Sequence, residues 1–187
     1  MQWEGMTIAT PHIQLRPATP ADALTLSALA IQVFLDTYAP EGIRASVARE
    51  VLTTYTEQAF AAAIASDQTR LVVAERQDHQ RHLVGFAQVT LGERHELAPG
   101  SGPQSELLRL YVQEPFTGQK LGTRLLAEAE ALAARAGSSL LWLTPWVHNH
   151  RALAFYARRG YSDHGVTWFR FEGEAHENRV LAKLISA

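Results

Sequence analysis

The chain has no cysteine, which excludes disulfides, thiolate metal ligands and a thiol nucleophile. It also lacks a surplus of charge. Seventeen Lys and Arg stand against nineteen Asp and Glu for a net charge of -2, so no basic field draws in nucleic acid. No apolar run is long enough to cross a bilayer, and no membrane partner is expected. The first residues, MQWEGMTIATPHIQLRP, show neither a basic n-region nor an apolar h-region, so no signal peptide is expected and a cytoplasmic location fits. The eight histidines show no paired ligand spacing supported by carboxylates. His79 and His82 fall in an expected hairpin turn and read as solvent-facing, so no metal site is expected. Internal repeats, low-complexity tracts and domain linkers are missing too. What is present is an ordinary globular balance of 47% hydrophobic and 19% charged residues over 187 positions, suited to one well-buried domain. Residues 11–187 are expected to form it, with Met1–Thr10 as a flexible lead-in and Met6 as an alternative start.

Hydrophobic periodicity divides that domain. His12–Arg16 alternates as a short strand ended by Pro17, and Asp22 is a candidate cap for a helix running through Leu35. A second helix is expected from Ile43 to Ala65. LVVAER (71–76) and HLVGFAQVTL (82–91) read as a hairpin, residues 93–102 as a mobile excursion, and ELLRLYV (106–112) as a further strand. Leu121, Leu125, Leu126, Ala129, Leu132, Ala133 and Ala136 form one stripe of a helix stopped by Gly137. LLWLTPWV (140–147) reads as a strand covered on both faces, and Asn149 or His150 opens a short helix ending at Gly160. Two closing strands, expected to be antiparallel, follow. Strand, helix, strand over 106–147 makes a right-handed crossover between parallel strands. The expectation is an α+β fold: a mixed sheet with helices on both faces.

The stretch PFTGQKLGTRLL (115–126) lies between strand and helix. The first turn of a helix has backbone N–H groups without internal partners and a partial positive charge. Gly118 and Gly122 would let an anion approach them, and Lys120 and Arg124 could add charge. The same glycines could equally serve an ordinary turn. The Walker loop and the dinucleotide G-x-G-x-x-G are both absent.

YVQEPFTGQKLGTRLLAEAEALA, followed by LLWLTPWVHNHRALAFYARRGY, resembles the GNAT superfamily of N-acetyltransferases from Glu106 to Tyr161. The family signature is (Gln/Arg)-x-x-Gly-x-(Gly/Ala), with a downstream Asn before a helix bearing Ala-x-x-Phe-Tyr. Gly122 fits. Thr117 stands where Gln or Arg is usual, and Lys120 where the first signature Gly is usual. The resemblance implies a fold with a splayed parallel strand pair and acetyl-CoA as co-substrate, without metal. Its diphosphate would lie over the amides of Thr117, Gly118, Gln119, Lys120, Leu121, Gly122 and Thr123. Backbone groups of Leu110 and Val112 would pair with the acetyl and pantetheine amides. Pro145, which cannot donate to a ladder, is the expected parting point of the two strands. Asn149 is a helix cap by type, and the resemblance adds contact with the pantetheine arm.

By the same resemblance Tyr156 is the general acid for the departing thiolate, with Phe155 as core beside it; by type alone a helix tyrosine is ordinary packing. An amine acceptor must lose a proton, and Glu106 is the candidate base. In a regular strand it shares a face with Leu108, Leu110 and Val112, leaving Arg109 and Tyr111 on the other; a bulge would reverse this. A solvated strand-end carboxylate is the plainer reading. Phe34, Asp36, Thr37 and Tyr38 are expected in a loop covering the acceptor, with Asp36 or Glu41 attracting a cationic amine. Trp146, Trp168 and Phe169 are candidates for an aromatic floor. The function implied is transfer of acetyl from acetyl-CoA to a small-molecule or peptide amine by direct attack, with no cysteine for an acetyl-enzyme. A non-catalytic acyl-CoA sensor of the same fold is the rival, and a homodimer is left open.

Overall fold

The computed structural model describes residues 12–77, 80–171 and 174–186. The expected lead-in at Met1–Thr10, the choice between Met1 and Met6, and His79 lie outside them. Seven strands form one sheet: β1 (Ile13–Pro17), β2 (Thr69–Arg76), β3 (Leu83–Leu91), β4 (Gln104–Val112), β5 (Leu140–Leu143), β6 (Ser162–Phe171) and β7 (Glu174–Leu184). Their spatial order is β1-β2-β3-β4-β5-β7-β6. β4 and β5 are parallel and every other pair is antiparallel. The helices are α1 (Ala23–Tyr38), α2 (Ala45–Thr54), α3 (Glu57–Ala65), α4 (Leu121–Arg135) and α5 (His150–Ala157).

Period-two alternation sorts the sheet's side chains between two cores. Val72, Ala74, Val84, Ala87, Val89 and Leu107 face Leu121, Leu125, Leu126, Ala129 and Ala133 of α4, with Tyr156 from α5. Leu71, Val73 and Phe86 face α1, α2 and α3 through Leu26, Leu29, Val51 and Phe60. Each fully buried leucine stabilises the fold by roughly 1.5–3 kcal/mol relative to exposure, so the two cores hold the sheet that carries the cleft. The expected mixed sheet with helices on both faces is the observed architecture.

Five local expectations are corrected. Asp22 does not cap α1 with its side chain; its carboxylate closes the preceding 3-10 turn by accepting from the Thr19 amide and hydroxyl. α1 continues to Tyr38, so Phe34, Asp36, Thr37 and Tyr38 lie on its last turns rather than in a loop. The single helix expected over 43–65 is two, because Thr56 starts a new one by accepting from the Ala59 amide. The excursion after β3 is fastened: Trp142 Nε1 donates to the Glu93 carbonyl oxygen at 2.9 Å, and Arg94 donates to the carbonyls of Ser101 and Gly102. Finally, β5 stops at Leu143 instead of running to Val147.

Candidate active site

β4 and β5 pair only through Gln104–Leu140, Ser105–Leu141 and Glu106–Trp142. β4 runs on to Val112, whereas the chain after β5 stays with β7. There the Arg179 amide donates to the Pro145 carbonyl oxygen at 3.0 Å and Asn178 Nδ2 to that of Thr144 at 2.7 Å. Trp146 bridges Asn178. The two strands therefore part after the Glu106–Trp142 rung, three residues before Pro145, which is not the parting point expected of it; a cleft of about 750 Å³ opens beside the wedge.

Most of the residues singled out in the sequence meet in it. Leu110 and Val112 line it from β4, Thr117, Gly118 and Lys120 from the loop, and Leu121, Gly122 and Thr123 from the first turn of α4. Asn149 and Tyr156 line it from the α5 side, and Asp36, Thr37 and Tyr38 from the end of α1. Four expected residues do not. Arg124 turns away and donates to the Ile13 carbonyl oxygen at 2.8 Å. Gln119 turns its amide back to the Pro115 carbonyl oxygen at 3.2 Å. Phe34 stacks behind the wall, 4.5 Å from Tyr38 and 5.4 Å from Tyr55 between ring centroids. Glu106 sits at the last rung of the ladder, outside the lining. Of the proposed aromatic floor only Trp146 approaches the cleft, 5.6 Å from Tyr38; Trp168 and Phe169 stand half-exposed on β6, and Glu41 is exposed outside it.

The phosphate-sized end of the cleft is built from backbone. Gly118 and Lys120 adopt left-handed φ of 75° and 62°, which turns the loop so that α4 points its first turn into the cleft. Lys120, at the N-cap, makes no capping hydrogen bond. Among the described residues nothing accepts from the amides of Leu121, Gly122 or Thr123. Gly122 packs against Phe155, where an added Cβ would lie 3.5 Å from the ring. Phe155 is thus half-buried against α4, and Tyr156 is the more deeply buried of the two. Asn149 Oδ1 accepts from the Ala152 amide at 3.0 Å, the expected cap of α5.

Arg151, Arg158 and Arg159 also line the cleft and were missed by the sequence reading. Their i, i+7, i+8 spacing on a helical stretch was the available signal. Arg151 is paired with Glu114 at 2.8 Å, and the Thr117 hydroxyl donates to the Glu114 carbonyl oxygen at 2.8 Å. The remaining cations leave this end positive.

Two titratable groups, Tyr156 in the lining and Glu106 outside it, are shifted by burial. Burial, followed by the field of Tyr38, raises the Tyr156 hydroxyl well above the ordinary tyrosine range, so it is protonated at neutral pH. It has no hydrogen-bond partner among the described residues. Burial, then repulsion from Glu93, pushes Glu106 up to about 7, against attraction from Arg109. The face expected for Glu106 is corrected. Arg109 pairs with Gln88 and Leu107 with Val89, so Leu108 is the extra residue of a bulge. The alternation reverses there, and Glu106 joins Arg109 and Tyr111 on the α1–α3 face, while Leu110 and Val112 pack on the α4 side. Among the described residues no three His, Asp or Glu side chains converge as metal ligands, and no helix is long and apolar enough to cross a membrane.

The fold as a whole is shared with known proteins. An N-acetyltransferase of Mycobacterium tuberculosis, itself uncharacterized, is 28% identical over 161 residues, covering 84% of this chain and 93% of that protein. The PaiA N-acetyltransferase of Thermoplasma acidophilum, crystallised with coenzyme A, superposes with a TM-score of 0.70 at 21% identity over 92% of this chain and 99% of that one. NAA60 of Arabidopsis thaliana in complex with acetyl-CoA gives 0.69 at 18% identity, over 93% and 99%. The sequence model of the Acetyltransferase (GNAT) family matches residues 35–161, spanning the last turns of α1, the parted strands, the uncapped start of α4 and all of α5. The chain belongs to the GNAT family of acetyltransferases, and is an acyltransferase enzyme.

Proposed function

We propose that this enzyme moves the acetyl group of acetyl-CoA to a primary amine of a small molecule or peptide, by direct attack within a ternary complex. The observation that carries this reading is the continuity of one cleft from the parted strands to the unpartnered amides of α4. An extended thioester with an anionic end fits such a shape: amides and cations at one end, a slot between strands at the other. The complexes of PaiA with coenzyme A and of NAA60 with acetyl-CoA support the same occupant here.

In this reading the diphosphate lies against the amides of Leu121, Gly122 and Thr123, since the expected Thr117 amide already donates to the Glu114 carbonyl oxygen at 3.1 Å. The pantetheine passes between β4 and residues 144–147, near Leu110, Val112 and Asn149. The amine nitrogen attacks the thioester carbonyl carbon, and the C–S bond breaks as the tetrahedral intermediate collapses. Tyr156, protonated, gives its proton to the leaving thiolate. Glu106, outside the lining, takes the amine's proton through water; a pKa near 7 suits a base at neutral pH. Asp36 and Tyr38 flank the acceptor. Holding both reactants in one cleft supplies much of the acceleration, and strand amides stabilise the oxyanion. The absence of cysteine removes the thiol route to an acetyl-enzyme.

Incubation with acetyl-CoA and a panel of polyamines, amino acids and peptides, with free thiol followed over time, tests the reading. Acceptor-dependent thiol release is the expected result. Thermal stabilisation by CoA with no release from any acceptor would instead make the protein an acyl-CoA sensor.

A further inference from the structure

The cleft holds a cation that no carboxylate among the described residues neutralises. Arg159, just beyond α5, sends its side chain across to the first turn of α4, where Nη2 donates to the Thr123 hydroxyl. Nη1 donates to the Phe155 carbonyl oxygen at 3.1 Å, and the guanidinium lies over the Phe155 ring with its carbon 3.9 Å from the centroid. Its Nε is buried without an acceptor. Both donated bonds go to neutral oxygens, and no carboxylate among the described residues stands within ion-pair distance. Glu114, the acidic group on the same rim, is already held by Arg151.

A partly buried charge without a counter-ion is costly. This one is also pre-positioned: a planar guanidinium stacked on a ring loses little further freedom when it meets a planar or tetrahedral oxyanion. It stands beside amides that already favour an anion, so charge and dipole add at one place. Position 117 cannot supply this cation, because Thr117 is uncharged and its hydroxyl is engaged by Glu114.

We propose that Arg159 is the side chain that grips a phosphate of the CoA co-substrate, supplying from the end of α5 the charge that Thr117 lacks. This rests on the acetyl-CoA reading above. The phosphate has two sources in CoA, the diphosphate and the 3′-phosphate, and one fork of N–H donors serves either.

The test compares wild type, Arg159→Lys and Arg159→Gln; glutamine keeps a donor for Thr123 and loses the charge. Calorimetric titration with CoA and with 3′-dephospho-CoA is run alongside inhibition by pantetheine, which carries no phosphate. Arg159→Gln is expected to weaken CoA binding about 10- to 100-fold, with Arg159→Lys recovering part of the loss and pantetheine inhibition unchanged. The deficit should shrink as ionic strength rises. An equal loss for dephospho-CoA assigns the contact to the diphosphate, and a loss confined to CoA assigns it to the 3′-phosphate; both support the proposal. Unchanged CoA affinity, or an equal loss for pantetheine, overturns it and reduces Arg159 to packing. Wild type that binds no CoA at all overturns the acetyl-CoA reading itself, which the variants alone cannot do.

Discussion

Glu106 and Trp142 form the last rung of the parallel ladder between β4 and β5, so the half-buried carboxylate stands where the sheet opens. Its carboxyl is pushed up to about 7 by burial and then by Glu93. A base must be ionised, so kcat/KM should rise with pH through about 7 and level off above it. Glu106→Gln should remove that limb and lower kcat about 10²-fold. Stability carries the opposite sign. Between pH 4.5 and about 7 the folded protein keeps a proton that the unfolded chain has released, so stability falls as pH rises through that window. At pH 8 Glu106→Gln should therefore melt higher than the parent, by on the order of 1–3 kcal/mol, and at pH 4 the two should coincide. A variant with normal turnover and an unaltered pH profile would remove Glu106 from the chemistry.

Tyr156 packs its ring 5.1 Å from that of Phe155 and 5.5 Å from that of Tyr161 and lines the cleft, and its hydroxyl has no hydrogen-bond partner among the described residues. Tyr156→Phe keeps the packing and loses only the proton donor. Turnover is expected to fall about 10- to 100-fold, with the CoA dissociation constant and melting temperature nearly unchanged. Steady-state kinetics beside a CoA titration separates these quantities. An equal fall in affinity and turnover would make the hydroxyl a binding group instead.

The crossover from β4 through α4 to β5 was legible because an apolar stripe and two apolar runs have different periods, and nothing else satisfies both. Pro145 pointed to the region but not the place: the β4–β5 ladder ends at Trp142, and Pro145 lies beyond it with its carbonyl oxygen accepting from Arg179 of β7. The break in the second helix was also written, in Thr56 followed by Glu57, but the surrounding alanines masked it. The bulge at Leu108 was not legible: ELLRLYV reads alike with or without an extra residue, and only pairing with β3 shows which face Glu106 takes. Arg159 was hidden for a similar reason. The spacing of Arg151, Arg158 and Arg159 could place them along one side of a helical stretch, but the contact of Arg159 with Thr123 depends on how α5 packs against the start of α4, which that spacing does not specify.

Lys120 occupies a left-handed backbone conformation, φ 62°, at the position where the family signature usually has glycine. A side chain there costs about 1–2 kcal/mol relative to glycine. Lys120→Gly should raise the melting temperature by roughly 2–6 °C while weakening CoA binding less than about tenfold, since only a flexible surface charge is lost. The two effects have opposite signs in one variant, so a thermal melt with and without CoA reads both. A lower melting temperature would show that the lysine side chain supports the loop.

Far from the cleft, Arg16 joins two carboxylates that would otherwise repel. It donates to both oxygens of Asp22 at 2.8 Å and to Glu75 at 2.6 and 2.8 Å, and Glu75, 3% exposed, also accepts from Arg81. The Arg16 hydrogen bonds hold Asp22 down to about 2, against its burial. Glu75 is held low as well, its burial outweighed by Arg16 and Arg81. A depressed carboxyl stabilises the fold fully above its unfolded pKa and loses that contribution as pH falls, for Asp22 between 3.8 and about 2. Arg16→Met removes the shared partner and leaves the acids with less than they need. It should destabilise the protein by about 2–4 kcal/mol at pH 7. Without the guanidinium both carboxyls protonate more readily, so the gap between variant and parent should narrow steadily from pH 6 to pH 3. Chemical denaturation across that range is the measurement, and a gap that did not change with pH would mean that Arg16 acts by packing rather than by charge.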